Sequence, residues 1–384
     1  MTDDVFGGLK DRINKNIKGA HVSILDESDI ASKRTWIKTP AYDLNRVLSG
    51  DLFKGIQSRN LVAIVGPEHT MKSSFMVLCM AEAQKIGLKP IIIDTEGGIT
   101  SDFCQRWGLD TKNILYIYTP WIHEVKSILA QIRESGEEGY IIGLDSVGGL
   151  DKIKSYEDAL TGDPKADQGM LQKEIRSTLK LFLNICIAQN SIGICTGHLY
   201  GMPGGFMPMP DQIGGGKAMK LFPSVIIGLK KSNIVEGTKS DKRVIGSEIK
   251  ATTLKNRLYP PFQEAIVKLN YIEGIDPFAG LIDLGIKAGI IEKSGTWFSM
   301  GEEKLGQGAD NAMKTLTESG IGDKFLKKLN SWLSNTGYSS INKELKEAAE
   351  KIMSEEERVE IIEEKEEKEE KNPKKSKIKI NKDK

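Results

Sequence analysis

The chain has 384 residues, 39% of them hydrophobic, and carries 54 Lys and Arg against 53 Asp and Glu for a formal net charge of +1. That length holds one large domain or two to three smaller ones, with enough apolar residues for a buried core. No run approaches the roughly 18–20 apolar residues of a membrane span, and the balanced charge confines any nucleic-acid contact to local basic loops.

The start, Met1-Thr2-Asp3-Asp4-Val5, lacks the basic opening and apolar stretch of a signal peptide, so the expected location is the cytoplasm, or a host's cytoplasm for a viral gene. Residues 1–33 are polar and mixed, with a short amphipathic helix expected from Val5 to Ile17. From Trp36 apolar runs recur between helical stretches: Leu61–Val65, Pro90–Asp94, Ile114–Tyr118, Tyr140–Asp145, Ile192–Thr196 and Val225–Leu229. Lys72–Ile86, Ile122–Arg133 and Gly169–Ala188 carry apolar residues at helical spacing. Short buried strands alternating with helices predict an α/β fold with a mostly parallel sheet covered on both faces. Gly246–Leu254 and Glu264–Tyr271 read as further strands joined through Pro260-Pro261.

Near Asp276-Pro277 the character changes, and residues 277–338 form a small glycine-rich unit with Trp297 and Trp332. From Lys343 the chain is rich in Glu and Lys, acidic over Glu355–Lys371 and basic over Lys374–Lys384, which reads as a fraying helix and a disordered tail. Cys79, Cys104, Cys186 and Cys195 show no C-x-x-C spacing and read as buried thiols.

The chemistry concentrates at strand ends. Leu61–Val65 runs into Gly66-Pro67-Glu68-His69-Thr70-Met71-Lys72-Ser73-Ser74 and then a helix, the layout of a phosphate-binding P-loop. In that layout Lys72 reaches the outer phosphates and the Ser73 hydroxyl binds Mg²⁺. One position departs from G-x-x-x-x-G-K-[ST]: Met71 stands at the second glycine. Asp145 ends the run Tyr140–Asp145, where nucleotide-hydrolysing enzymes keep the acid that supports Mg²⁺, although an Asp there also starts turns and caps helices. Glu96, just past Ile91-Ile92-Ile93-Asp94, has the reach to orient an attacking water; the alternative is a solvated loop acid. Asp94, nearer the strand, reads as structural.

Two long polar segments leave strand ends, on the side where open α/β sheets bind ligands. One runs from Ser146 to Gln168 with Lys152, Lys154 and Lys165; the other runs from Gly201 to Gly216 behind His198. Neither reads as a packed core element, and loops of this length are functional or disordered. His198 could sense nucleotide through a hydrogen bond, or be purely structural.

Longer strings carry a resemblance. Gly246-Ser247-Glu248 with Leu254-Lys255-Asn256-Arg257 and Pro261-Phe262 resembles G-S-E…V-K-N-K…P-F of the RecA recombinase family. Glu273-Gly274-Ile275 with Leu281-Ile282-Asp283-Leu284-Gly285 resembles its E-G-I…L-V-D-L-G. Ile291-Glu292-Lys293-Ser294-Gly295-Thr296-Trp297-Phe298, followed by Gly301-Glu302-Glu303-Lys304-Leu305-Gly306-Gln307-Gly308, resembles I-E-K-x-G-x-W-Y…G-E-K-I-G-Q-G. The resemblance covers about residues 40–335 and is most like the phage-type recombinases of the UvsX kind, which tolerate a bulky residue where Met71 stands.

The resemblance implies a RecA-type P-loop ATPase core over 34–275, an N-terminal oligomerisation segment over 1–33, a small α+β C-terminal domain over 276–340 and a charged tail over 341–384. It implies ATP and Mg²⁺ as ligands, with Gly66 to Ser74 as the P-loop, Glu96 as catalytic glutamate, Asp145 as the Walker B acid and Phe103 stacking on adenine. Lys255 and Arg257 match basic residues that reach the ATP of the neighbouring subunit, and Tyr271 a tyrosine near it. Residues 151–168 and 199–215 match two DNA-binding loops, with Lys152, Lys154, Lys165, Tyr200, Gly201, Gly204, Gly205, Phe206, Gly214, Gly215 and Lys217 as contact candidates. His198 replaces a glutamine that couples nucleotide to the second loop. The implied protein forms helical filaments on single-stranded DNA, hydrolyses ATP in a DNA-dependent manner and exchanges strands with double-stranded DNA in recombination and repair. Its partners are DNA and further copies of itself, with single-strand-binding and mediator proteins as further candidates, and no membrane. The rival readings are a hexameric helicase of RecA fold and a non-hydrolysing DNA-binding recombination mediator.

Overall fold

Every residue of the run Leu61–Val65 is buried to 1% exposure or less. Leu61, Ala63 and Val65 pack into one hydrophobic cluster, Val62 and Ile64 into another. A strand with apolar side chains on both faces must be covered on both, and that requirement organises the molecule. The computed structural model describes residues 6–17, 22–161, 169–199, 213–237 and 241–335.

In chain order, α1 (Gly7–Asn16) and α2 (Asp29–Ser32) precede β1 (Trp36–Ile37), α3 (Tyr42–Ser49) and β2 (Ile56–Gln57). Then come β3 (Asn60–Gly66), α4 (Lys72–Lys85), β4 (Lys89–Asp94), α5 (Ser101–Arg106), β5 (Leu115–Tyr118), α6 (Ile122–Glu134) and β6 (Tyr140–Asp145). They are followed by α7 (Ile153–Thr161), α8 (Met170–Ala188), β7 (Ile192–His198), α9 (Lys217–Leu221), β8 (Val225–Glu236), β9 (Arg243–Asn256), β10 (Glu264–Asn270) and β11 (Gly274–Asp276). Last are α10 (Leu281–Lys287), β12 (Glu292–Ser294), β13 (Trp297–Met300), β14 (Glu303–Gln307) and α11 (Ala309–Glu318), with residues 321–330 helical. The chain divides into two compact units, 1–330 and 331–384; the second is described only over 331–335, which are helical. No described helix is long and apolar enough to cross a membrane.

The main sheet has nine strands in the order β11-β10-β9-β8-β3-β7-β6-β4-β5. From β8 to β5 neighbours run parallel; β8, β9, β10 and β11 pair antiparallel. Phe75, Met76 and Met80 of α4 cover one face with Val62 and Ile64. Val125 and Leu129 of α6, with Leu179 and Phe182 of α8, cover the other with Leu61, Ala63 and Val65. Each such side chain, fully buried, contributes about 1.5–3 kcal/mol. This is the α/β architecture expected from the alternating runs. A three-stranded antiparallel sheet, β12-β13-β14, lies in the segment that follows.

Two expectations are corrected. The run Ile114–Tyr118, read as a buried strand, is the edge of the sheet, with Leu115, Tyr116 and Tyr118 exposed because nothing pairs beyond it among the described residues. The polar segment after Asp145 is not loop throughout. Val147–Gly149 forms a short 3₁₀ turn capped by Ser146, and α7 takes residues 153–161, where Ile153, Tyr156 and Leu160 recur at helical spacing. All three are exposed, so the helix follows its local period without a core to bury.

Candidate nucleotide-binding site

The parallel strands deliver their chemistry at one end. Gly66 ends β3 beside His198 at the end of β7, and Asp94 ends β4 beside Asp145 at the end of β6. The chain leaves β3 through α4 and re-enters at β4, past β7 and β6. Crevices outside the carboxyl ends of such strands are where open α/β sheets take ligands. A cavity of about 480 Å³ opens there, lined by Glu68 to Ser74, Asp94, Glu96, Phe103, Asp145, Ser146 and His198 among others.

The loop from Gly66 wraps tightly. A Cβ at Gly66 would sit 2.5 Å from Thr70 Oγ1 and 2.8 Å from the Leu229 carbonyl, so only glycine fits. Thr70 Oγ1 and Lys72 Nζ each donate to the Pro67 carbonyl at 2.8 Å, closing the loop. Met71 resolves the misfit seen in the motif. It adopts φ 67°, ψ 28°, the left-handed conformation for which glycine is the usual residue, and its partly buried side chain packs against the core. The loop makes this left-handed turn with Met71 in place of the motif's second glycine. Met71 immediately precedes α4, and its carbonyl accepts from Phe75 N at 2.8 Å. The first N–H groups of α4 therefore face the cavity end, where a helix favours an anion.

Lys72 is buried, and desolvation holds its ammonium below the usual range against the opposing pull of Asp145, Glu96 and Glu68. A cation kept in a dry site with acids around it is prepared for a polyanion. Asp145 is 7% exposed; burial raises its carboxyl, while hydrogen bonds from Ser73 and Thr196 pull it down. Thr196 Oγ1 donates to Asp145 Oδ1 from the neighbouring strand. A hydroxyl paired with a carboxylate is a hard-oxygen set that suits Mg²⁺, which keeps most of its shell as water and phosphate. The peptide between Asp145 and Ser146 is cis.

Glu96 is held by Ser146, whose Oγ donates to Glu96 Oε1. Thr95 ties the same two strand ends together, its hydroxyl donating to the Ser146 carbonyl at 2.8 Å and accepting from Ser146 N at 2.9 Å. Gly149 belongs to this cluster because a Cβ there would meet Thr95 Oγ1 at 2.4 Å and Glu96 Cγ at 3.1 Å. Asp94 has the structural part expected of it. Its Oδ1 accepts from Glu96 N at 3.0 Å and Gly97 N at 2.8 Å, and its Oδ2 from Ile99 N and Tyr116 Oη, both at 3.0 Å.

Thus the structure brings Glu68 to Ser74, Glu96, Phe103, Asp145 and His198 around one cavity, while Gly66 and Pro67, at the start of the loop, do not line it. Phe103 sits on its wall, edge-to-face with Trp107 at 6.5 Å. Lys255, Arg257 and Tyr271 do not line it. Lys255 Nζ donates to the Lys220 and Leu221 carbonyls at 2.7 and 3.0 Å, and burial, with Arg257 nearby, lowers its pKa to about 8. Arg257 is exposed, and Tyr271 Oη lies 2.8 Å from Ser247 Oγ.

Of the loop candidates, Lys152 pairs with Glu174 at 3.8 Å, Lys154 is exposed on α7, and Lys217 is exposed at the start of α9. Gly214 N donates to the His198 carbonyl at 2.8 Å, Gly215 takes φ 89° against Val147, and Leu199 bridges Ile213 across the loop base. Lys165, Tyr200, Gly201, Gly204, Gly205 and Phe206 lie outside the described residues.

Thr196, Ser146, Thr95 and Tyr116 escape sequence reading. Each is a hydroxyl at or near a strand end whose partner lies on, or just past, a different strand of the sheet.

Residues 10–276 match the family model of the RecA N-terminal domain, and residues 279–332 that of the RecA C-terminal domain. The chain is similar to Protein RecA of Chlorobaculum tepidum, 29% identical over 305 residues that cover 78% of this chain and 84% of the relative. It is also similar to Protein RecA of a Sulfurovum species, 32% identical over 269 residues, and of Wolinella succinogenes, 32% identical over 267 residues. Each of these two covers 69% of this chain and 74% of the relative.

Proposed function

The chain belongs to the RecA family, and from that premise we propose that it is a DNA-dependent ATPase that forms helical filaments on single-stranded DNA and exchanges strands with duplex DNA in recombination and repair. The observation that carries this reading is the convergence of Lys72, Ser73, Glu96, Asp145 and His198 on one cavity at the sheet's carboxyl end. The loop N–H groups and Lys72 bind the outer phosphates of ATP, and Phe103 stacks on the base. Ser73, and through it Asp145, would hold Mg²⁺, which would supply positive charge against the phosphate oxygens. Glu96, fixed by Ser146, orients the attacking water and takes its proton at a carboxylate oxygen.

Lys255, Arg257 and Tyr271 act on the nucleotide of a neighbouring subunit; their position off this cavity supports action in trans. Hydrolysis then depends on assembly, as with an arginine finger. In support of a docking role for residues 1–33, α1 buries none of its residues and leaves Phe6 and Leu9 exposed. His198, hydrogen-bonded through its carbonyl to Gly214 at the base of the segment 199–215, couples nucleotide to DNA grip there. The phage-type assignment rests on Met71. The domain division at 33, 275 and 340, and a restraining role for the acidic stretch 355–371, are part of this proposal.

The test is ATP hydrolysis with and without single-stranded DNA, paired with a strand-exchange assay, for the wild type and Lys72→Ala. Stimulated hydrolysis with strand exchange, both lost in Lys72→Ala, supports the reading. Unwinding without exchange points to a helicase, and DNA binding without hydrolysis to a mediator; either overturns it.

A further inference from the structure

The side-chain tip of Glu96 is held by Ser146, and Thr95, the first residue of its loop, is tied to β6, but the backbone beyond Thr95 needs its own anchor. Residues 95–100 join β4 to α5, and Gly97, with φ 72°, and Gly98 follow Glu96 directly. Such a stretch has many backbone conformations open to it. The backbone of the stretch past Thr95 is restrained by the Asp94 carboxylate, which accepts from the N–H groups of Glu96, Gly97 and Ile99. An ionised carboxylate offers about four acceptor positions. The fourth is filled by a side chain from a different strand, Tyr116 Oη, at 3.0 Å from Asp94 Oδ2.

Tyr116 lies on β5, the sheet edge, opposite Ile92 in register and so two residues short of Asp94's level. A diagonal neighbour at that offset is within reach of a long aromatic side chain. We propose that Tyr116 is a positioning residue for ATP hydrolysis, anchoring Asp94 so that the loop presents Glu96 in one orientation. This rests on the proposed role of Glu96. Burial of the hydroxyl and the Asp94 carboxylate push the Tyr116 phenol up to about 12, so it remains a proton donor at every working pH. Tyr116 is 46% exposed, and Tyr116→Phe removes one oxygen without opening the core. Lys72 and Ser73 are set by β3 and α4, so phosphate binding does not pass through Tyr116.

The experiment is steady-state ATP hydrolysis at saturating single-stranded DNA for the wild type, Tyr116→Phe, Glu96→Gln and the double variant. A loosened loop costs orientation, and the expected result is a fall in kcat of about 3- to 10-fold with KM for ATP within about twofold of wild type. Because Tyr116 acts through Glu96, adding Tyr116→Phe to Glu96→Gln lowers the residual rate by less than about twofold. An unchanged kcat in Tyr116→Phe overturns the inference while leaving the role of Glu96 standing. So does a rise in KM that accounts for the loss, or an equal loss in the Glu96→Gln background. Wild-type turnover in Glu96→Gln removes the role of Glu96 and this inference with it.

Discussion

Thr196→Val is the sharpest probe of the Asp145 environment. Thr196 is fully buried on β7, and its hydroxyl donates to Asp145 Oδ1 on β6. Valine has nearly the same shape, so the substitution opens no cavity; it deletes a donor to a carboxylate that burial already disfavours. A hydrogen bond to a charged group is worth about 1.5–3 kcal/mol. With an unfolding entropy of about 2.1 cal/mol/K per residue, a unit of 330 residues loses roughly 2–4 °C of thermal midpoint. The assay is a thermal melt at neutral pH, repeated for Asp145→Asn and the double variant. The deletions should be coupled, since once the charge is gone the hydroxyl has a weaker partner. A midpoint within about 1 °C of wild type, or strictly additive losses, refutes the reasoning.

Met71→Gly and Met71→Ala both remove the side chain, but only glycine relieves the left-handed backbone at φ 67°. The glycine variant should be the more stable of the two by about 1 kcal/mol in a denaturation comparison, and equal stabilities would falsify the strain. Lys255, with its pKa lowered to about 8, is charged below that pH and neutral above it. A neighbouring phosphate can only move that value upward, so the ATPase rate should fall along an alkaline limb at or above pH 8. Lys255→Arg, charged throughout, should abolish the limb, and an identical limb in both proteins rules out the charge as its cause.

The strand ends were legible because burial on two faces demands unbroken apolar runs, and the chemistry follows each run directly: Gly66 after Val65, Asp94 after Ile93, Asp145 after Leu144. Two misjudged stretches share a different cause. Ile114–Tyr118 has the composition of a buried strand, yet its exposure depends on being last in the order β7-β6-β4-β5, which no local pattern encodes. The helix α7 has a helical period but an exposed apolar stripe, so polarity outweighed periodicity.

The partners of Glu96 and Asp145 were hidden for a topological reason. Ser146 reaches back 50 residues to Glu96, and Thr196 reaches 51 to Asp145, because β4, β6 and β7 are adjacent in space and separated in the chain. Met71 shows the converse. A side chain at the motif's second glycine argues for a damaged loop only if the residue type controls the backbone there. Here the neighbours control it. Gly66 is pinned at the end of β3 by Thr70 and Leu229, and the Met71 carbonyl already serves α4. The left-handed turn between them is over-determined, and about 1–3 kcal/mol of local strain is small beside two packed faces of a nine-stranded sheet. The shape of the loop is therefore a property of how β3 and α4 are held, and the residue at its corner can vary while the N–H groups keep their direction.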